Sequence, residues 1–299
     1  MMSHKQIYAI GFFVTLVVCS PNLSAQDAQP KLPSFSWHLA NVWWEFESTT
    51  PHFESLSIDV TIDRDIPDDC NFYIAPIGVG KLNDIMFYGG LQTNINGYLD
   101  RSDRTRRHPG KGVIFSRWGK KTLSYDFARK AANGLVESAG YEGDFVSVRR
   151  PIKWTKGTYT YRLVKADYQK ANDREYTWIN VMLNDHQTGR LHYGGSLRFE
   201  GRDLTFWNRH SAFVEVYSTS KIPRGKIPEV TVTFGYPRIN GQAPKLKSAS
   251  AYYPNTGVAA GPDCAKITTK GAQVIVTVGK IFTRSKNERR HALNLKTPC

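Results

Sequence analysis

The residues best equipped for chemistry gather between Phe87 and Trp154, in three blocks that set charged groups beside glycines and rings. They are Gly89-Gly90-Leu91-Gln92, Phe115-Ser116-Arg117-Trp118 and Gly140-Tyr141-Glu142-Gly143-Asp144-Phe145. Glu142 and Asp144 stand two apart, and in an extended segment such positions share one face. Two carboxylates on one face could serve as acid and base on a glycosidic bond, or hold calcium. The competing reading is a charged turn in which Glu142 accepts backbone or arginine hydrogen bonds beside a glycine. Arg117, Arg149 and Arg209 have the planar fork that clamps a carboxylated or sulfated sugar. Gln92 and Asn208 could read hydroxyls, and Trp118 and Trp207 could present rings for stacking. Trp118, Trp154 and Trp178 lie within apolar runs, where a tryptophan equally fills an inner face, whereas Trp43-Trp44 and Trp207 have polar neighbours that favour exposure.

Other chemistries lack their patterns. Asp59, Asp63, Asp65, Asp68 and Asp69 form the densest acidic stretch, and Asp63, Asp65 and Asp68 are weak calcium candidates without the spacing of an EF-hand loop; the plainer reading is a solvated turn before Cys70. The histidines are scattered with no His-Glu-x-x-His spacing, so no metal is expected beyond that calcium, and Gly-x-Ser-x-Gly is absent. The Glu-x-Asp-x-x-Glu array of laminarinase-like jelly rolls is also missing.

The elements that must position these residues read as strands. Ser55 to Ile62 alternates polar and apolar residues, as do Thr158 to Val164, Tyr176 to Leu183, Ala212 to Tyr217, Val230 to Phe234 and Gln273 to Val278. Asn184 to Gly189 has the content of a hairpin loop between two of them. Only Ser124 to Val136 reads as a helix, with Phe127, Ala131 and Leu135 at four-residue intervals. The expected fold is therefore all-β: a two-sheet antiparallel sandwich of lectin-like or jelly-roll type with at most one or two short helices.

The order of the blocks carries a resemblance. Phe72-Tyr73-Ile74-Ala75, Tyr88 to Asn94, Val113 to Trp118, Gly140-Tyr141-Glu142-Gly143, Trp154 with Gly157-Thr158-Tyr159, and Phe213-Val214-Glu215 together resemble the secreted bacterial family known as domain of unknown function 3472. The resemblance runs from about Trp37 to Tyr217. It implies a β-rich extracellular domain from polysaccharide-degrading neighbourhoods, with Gln92, Trp118 and Glu142 as family-like positions and no catalytic residues to transfer. The chain departs from the family after Glu142-Gly143, where Asp144-Phe145-Val146-Ser147 replaces a glycine-rich stretch.

His4 and Lys5, the apolar run Ile7 to Val18, Pro21 and the small pair Ser24-Ala25 have the order of a secretory signal peptide, so residues 1–25 are expected to be removed on export. That run falls short of the roughly 20 apolar residues a transmembrane helix needs. Residues 26–299 then form one sandwich domain of 274 residues (299 minus 25), with 219–299 completing the sheets. Cys70, Cys264 and Cys299 remain, which predicts one disulfide and one free thiol: Cys264 with Cys299 first, Cys70 with Cys264 as the alternative.

The net charge is +14, or +13 once Lys5 is lost with the leader. Outside the cytoplasm such a surface is expected to meet anionic envelope glycans or polysaccharide rather than nucleic acid, whose binding signatures are absent; the competing reading is solvated loops on a basic secreted protein. The expected function is non-catalytic recognition of an acidic polysaccharide, secreted or periplasmic. The alternatives are a glycan-cleaving enzyme, hydrolase or lyase, using Glu142 and Asp144 or a Tyr/His/Arg constellation, and a structural or adhesive envelope protein.

Overall fold

Alternation decides the layers. In Ser55–Ile62, the side chains of Leu56, Ile58, Val60 and Ile62 are buried while Ser57, Asp59 and Thr61 face outward. Period-2 patterning of this kind can only be satisfied by a second apolar layer. The computed structural model describes residues 32–33, 36–119, 124–140, 143–171, 173–217, 225–255 and 260–298. The expected leader, Glu142 and Cys299 lie outside them.

Two antiparallel sheets make the sandwich. The first runs, in spatial order, β18 (Arg290–Ala292), β15 (Leu246–Tyr252), β1 (Trp37–Phe46), β12 (Arg209–Val216), β3 (Phe72–Leu82), β4 (Ile85–Gly97), β5 (Arg107–Trp118), β8 (Phe145–Pro151) and β7 (Leu135–Ala139). The second runs β16 (Asp263–Lys270), β17 (Gln273–Phe282), β13 (Val230–Phe234), β2 (Ser55–Ile62), β9 (Gly157–Ala171), β10 (Arg174–Asp185), β11 (Leu191–Glu200) and β6 (Ala128–Lys130), with β14 (Arg238–Ile239) also on β2. The strands after residue 225 extend both sheets, β15 and β18 beside β1, and β13, β16 and β17 beside β2.

The inner faces share one core. Phe87 meets Phe115 and Phe199 edge-on, at 6.1 and 5.8 Å between ring centres, and so ties β4 and β5 to β11. Tyr161 is buried, and its hydroxyl donates to the Ile114 carbonyl at 2.7 Å, one bond joining the sheets across the core. Trp44, Phe46, Phe53 and Phe206 fill the same interior. Each such side chain contributes about 1.5–3 kcal/mol on burial.

The helix expected over Ser124–Val136 is replaced by two strands. Ser124 caps a single 3-10 turn, Tyr125–Phe127, by accepting from the Asp126 amide at 3.2 Å. The next three residues pair with the free edge of β11, Leu197 opposite Ala128. Asn133 then takes a left-handed φ of 59°, the Gly134 amide donates to the Ala131 carbonyl, and β7 pairs with β8. Two open sheet edges and an Asn-Gly turn outweigh a weak four-residue recurrence. The expected hairpin loop forms: Asp185 accepts from the Gln187 amide and the Thr188 hydroxyl, both at 2.8 Å, and Gly189 has φ 67°.

Cys70 and Cys264 are buried thiols not bonded to one another, which removes the Cys70–Cys264 alternative; the first-choice pair involves Cys299, outside the described residues. Burial pushes both thiols up to about 12, helped by Asp69 and Asp263, so neither is a nucleophile at neutral pH. No helix among the described residues is long and apolar enough to cross a membrane.

Candidate functional site

The outward face of the first sheet is not a wet face. Alternation that sends Ala212, Val214 and Val216 into the core sends Arg209, Ser211, Phe213 and Glu215 the other way along β12. The same logic brings out His38, Asn41 and Trp43 from β1, Tyr73 from β3, Tyr88, Gln92 and Asn96 from β4, and His108, Ile114 and Trp118 from β5. Together they line a cleft of about 910 Å³. Its floor is a second apolar cluster, Tyr73, Ala75, Tyr88, Ile114, Phe213 and Tyr217, with Trp118 packed against it. Tyr88 and Trp118 lie 4.6 Å apart, and Tyr73 meets Phe213 edge-on at 5.2 Å.

One row of the cleft crosses four adjacent strands in register: His38 opposite Glu215, Glu215 opposite Tyr73, and Tyr73 opposite Gln92. Directly opposed side chains on one face start roughly 5 Å apart. Glu215 is 8 % exposed and is the only carboxylate among the described residues that line the cleft. The Tyr217 hydroxyl accepts from the Asn94 amide at 2.8 Å and donates to its carbonyl at 2.9 Å. Burial raises its pKa above the usual tyrosine value, so it anchors structure rather than trading protons.

The cleft is basic. Arg106, Arg149, Arg209 and Arg290 all reach it, four guanidiniums against the one carboxylate of Glu215. Arg106 and Arg149 are held together beneath the surface by Glu137, whose carboxylate takes one guanidinium on each oxygen. Both also donate to the Asn96 side chain, and the Arg149 Nε donates to the Ser147 hydroxyl at 3.2 Å. Desolvation works against the Arg106 charge, but Glu137 outweighs it and leaves its pKa above the usual arginine value. Arg209 lies over the rings of Trp43 and Trp207, at 4.8 and 5.4 Å from their centres, and Arg290 lies 4.7 Å over Tyr252. Each of these arginines is pre-aimed by rings or by a buried acid, which lowers the entropy lost when it grips a ligand.

Four of the candidate ligand-binding residues, Gln92, Trp118, Arg149 and Arg209, line one cleft, a convergence that the sequence left open. Arg117 does not. It is the neighbour of Trp118 in a strand, so the two must face opposite ways. Its guanidinium, 1 % exposed, lies between the sheets on the rings of Phe199 and Phe127, 2.9 Å from Glu200 and donating to the Arg198 carbonyl. Burial pulls its pKa down, and Glu200 offsets part of this. Trp207 and Asn208 do not line the cleft: Trp207 is covered by Arg209 and Lys81, and the Asn208 carbonyl accepts from the Phe46 amide. Asp144 is exposed and is not among the residues that line the cleft, and its backbone carbonyl accepts from the Gly119 amide. Trp154 and Trp178 are packing residues, and of the pair expected to be exposed, Trp44 is core and Trp43 cleft.

Two of the weak calcium candidates hold backbone amides: Asp63 accepts from the Thr231 amide at 2.7 Å and Asp65 from the Lys156 amide at 2.8 Å, while Asp68 accepts the Asn94 side chain through its backbone carbonyl. Among the described residues no three His, Cys, Asp or Glu side chains converge on a metal position. Among the cleft residues that sequence reasoning did not single out are Glu215, Tyr73, Asn96 and His38. The one available signal was the odd-numbered run Arg209, Ser211, Phe213, Glu215, which shares a face once β12 is recognised.

No family model and no curated protein matches the chain. Among solved structures it is similar to a Scytalido-glutamic peptidase with a peptide-based transition-state analogue, at 8 % identity and TM-score 0.35, covering 83 % of this chain and 100 % of that one. A second is SCP-B, of the Eqolisin family of peptidases, in complex with the tripeptide Ala-Ile-His, at 8 % identity and TM-score 0.31 over the same shares. Likeness at that level carries no argument about chemistry.

Proposed function

We propose that this chain is an exported, non-catalytic protein that binds an acidic polysaccharide in the cleft on the first sheet. The observation that carries the reading is the ring-floored cleft of about 910 Å³ whose described lining residues include Arg106, Arg149, Arg209 and Arg290 and, among carboxylates, Glu215 alone. Rings match the apolar faces of sugars, and pre-aimed guanidiniums match their acid groups.

A glycan-cleaving enzyme is the second reading, and Glu215 is what favours it, a nearly buried carboxylate in register with Tyr73 and Gln92. Glycoside hydrolysis uses two carboxylates roughly 5–10 Å apart. Among the described lining residues there is one, and Glu137, buried on β7 at the Arg106 and Arg149 end, is committed to those two arginines. Binding without turnover therefore has the better support. The test is a screen of the purified protein on neutral and acidic polysaccharides that follows both retention and the release of reducing or unsaturated ends. Retention of acidic polymers alone is the expected result. Released ends would make it an enzyme, and no retention of any acidic polymer would overturn the proposal.

A further inference from the structure

We propose that the loop from Leu99 to Arg107 is a second contact for the acidic polysaccharide, holding the stretch of chain that runs out of the cleft past Arg106. This rests on the acidic-glycan reading of the cleft. The loop joins β4 to β5, and both of its flanks line the cleft, Asn96 before it and Arg106 and His108 at its return. At that end the buried acid Glu137 ties Arg149 to Arg106, but the two guanidiniums are not equally open. Arg149 donates to the Ser147 hydroxyl, to the Asn96 carbonyl and side chain, and to Glu137. Its donors are therefore largely spent within the protein, and its side chain is 5 % exposed. Arg106, 26 % exposed, is the guanidinium that a ligand meets there, and it belongs to the loop.

The rest of the loop carries the same charge outward. Arg101, Arg104, Arg106 and Arg107 stand with two aspartates, and both aspartates turn to the loop's own backbone. Asp100 accepts from the Ser102 amide at 2.8 Å, the Ser102 hydroxyl at 2.6 Å and the Asp103 amide at 3.0 Å. Asp103 accepts from the Leu99 amide at 3.0 Å and the Thr105 amide at 2.9 Å. Tyr98 pins the start of the loop by exchanging two backbone hydrogen bonds with Val136 of β7, at 2.9 and 2.8 Å, and its ring lies 5.1 Å from the Arg106 guanidinium. On this fixed backbone Arg101, Arg104 and Arg107 are exposed, with Asp103 3.5 Å from Arg107. A polysaccharide repeats its acid groups along its length, so a chain gripped in the cleft keeps its next units at high local concentration beside the loop. Exposed guanidiniums there add modestly to the grip and raise the encounter rate.

The test measures affinity of the purified protein for three long-chain probes, polygalacturonate, alginate and heparin, at several salt concentrations. An Arg101→Gln/Arg104→Gln variant should bind whichever probe wild type retains roughly fivefold more weakly, and with a shallower dependence on salt. A matched variant, Lys270→Gln/Lys280→Gln, removes the same charge from exposed positions on β16 and β17 of the second sheet and should lose less than about twofold. Equal losses in the two variants, or no loss in the loop variant, overturn the loop contact and leave the acidic-glycan reading standing. Wild-type binding to none of the three probes overturns both. If the double loop variant does not fold, Arg101→Gln and Arg104→Gln are read singly against the same control.

Discussion

Glu137 is the residue on which the basic end of the cleft depends, because its buried carboxylate holds Arg106 and Arg149 at once. Its removal leaves two guanidiniums partly dehydrated with no acid between them. A Glu137→Ala variant should lose roughly 3–5 kcal/mol of stability, measured by denaturant unfolding. Arg209 is different: its rings hold it at the cleft without a buried partner acid, so Arg209→Ala should keep the fold and weaken binding of an acidic polysaccharide by about tenfold, read by titration calorimetry. His210, on the core side of the same strand, gives a pH signature. Burial lowers its pKa from 6.5 to about 4, against the opposing bond to the Pro76 carbonyl. Between those two pH values the unfolded chain holds a proton that the folded chain does not. Stability should therefore fall by roughly 3 kcal/mol as pH drops from 6.5 toward 4, then level off, and a His210→Gln variant should lack that part of the slope.

At the scale of elements, Gly195 shows how closely the sheets approach. It has φ 131°, and a Cβ there would stand 2.8 Å from the Val148 Cβ of β8 and 3.0 Å from the Arg129 carbonyl of β6. Gly195→Ala should destabilise by roughly 1–3 kcal/mol and lower the thermal midpoint. The strands themselves were legible wherever one face is wet, as along β2, because alternation then separates Leu56 and Ile58 from Ser57 and Asp59. It failed along β4. From Phe87 to Gly97 that strand is buried on both faces, by the core below and the cleft floor above. Alternation says which residues share a side and is silent on what covers that side, so Gln92 could be placed as a candidate while Asn96 could not. The same rule, applied to neighbours in β5, is enough to send Arg117 and Trp118 to opposite faces. The helix expected at Ser124–Val136 failed because a spacing count cannot see the free edges of β11 and β8 that were waiting for a strand.

For the whole molecule, a net charge of +14 and a cleft with four arginines mean that association with an acidic polymer should weaken steadily as salt rises from about 0.05 to 0.5 M, with the on-rate falling more than the off-rate rises. Stopped-flow or surface binding measurements at several salt concentrations would check this, and a salt-independent rate would count against steering. Strand β1 adds a constraint in time rather than in space. It is bonded on one side by β12 and on the other by β15, so Trp43 has Ser211 and Ser250 as its neighbours. A chain delivered in linear order, from a ribosome or through a channel, presents β1 first and must wait for most of its length before either partner exists. Until then the Arg209 wall, the Arg290 edge and the row containing Glu215 have no shape. A nascent or partly delivered chain therefore lacks the cleft walls until strands from the last third of the sequence arrive.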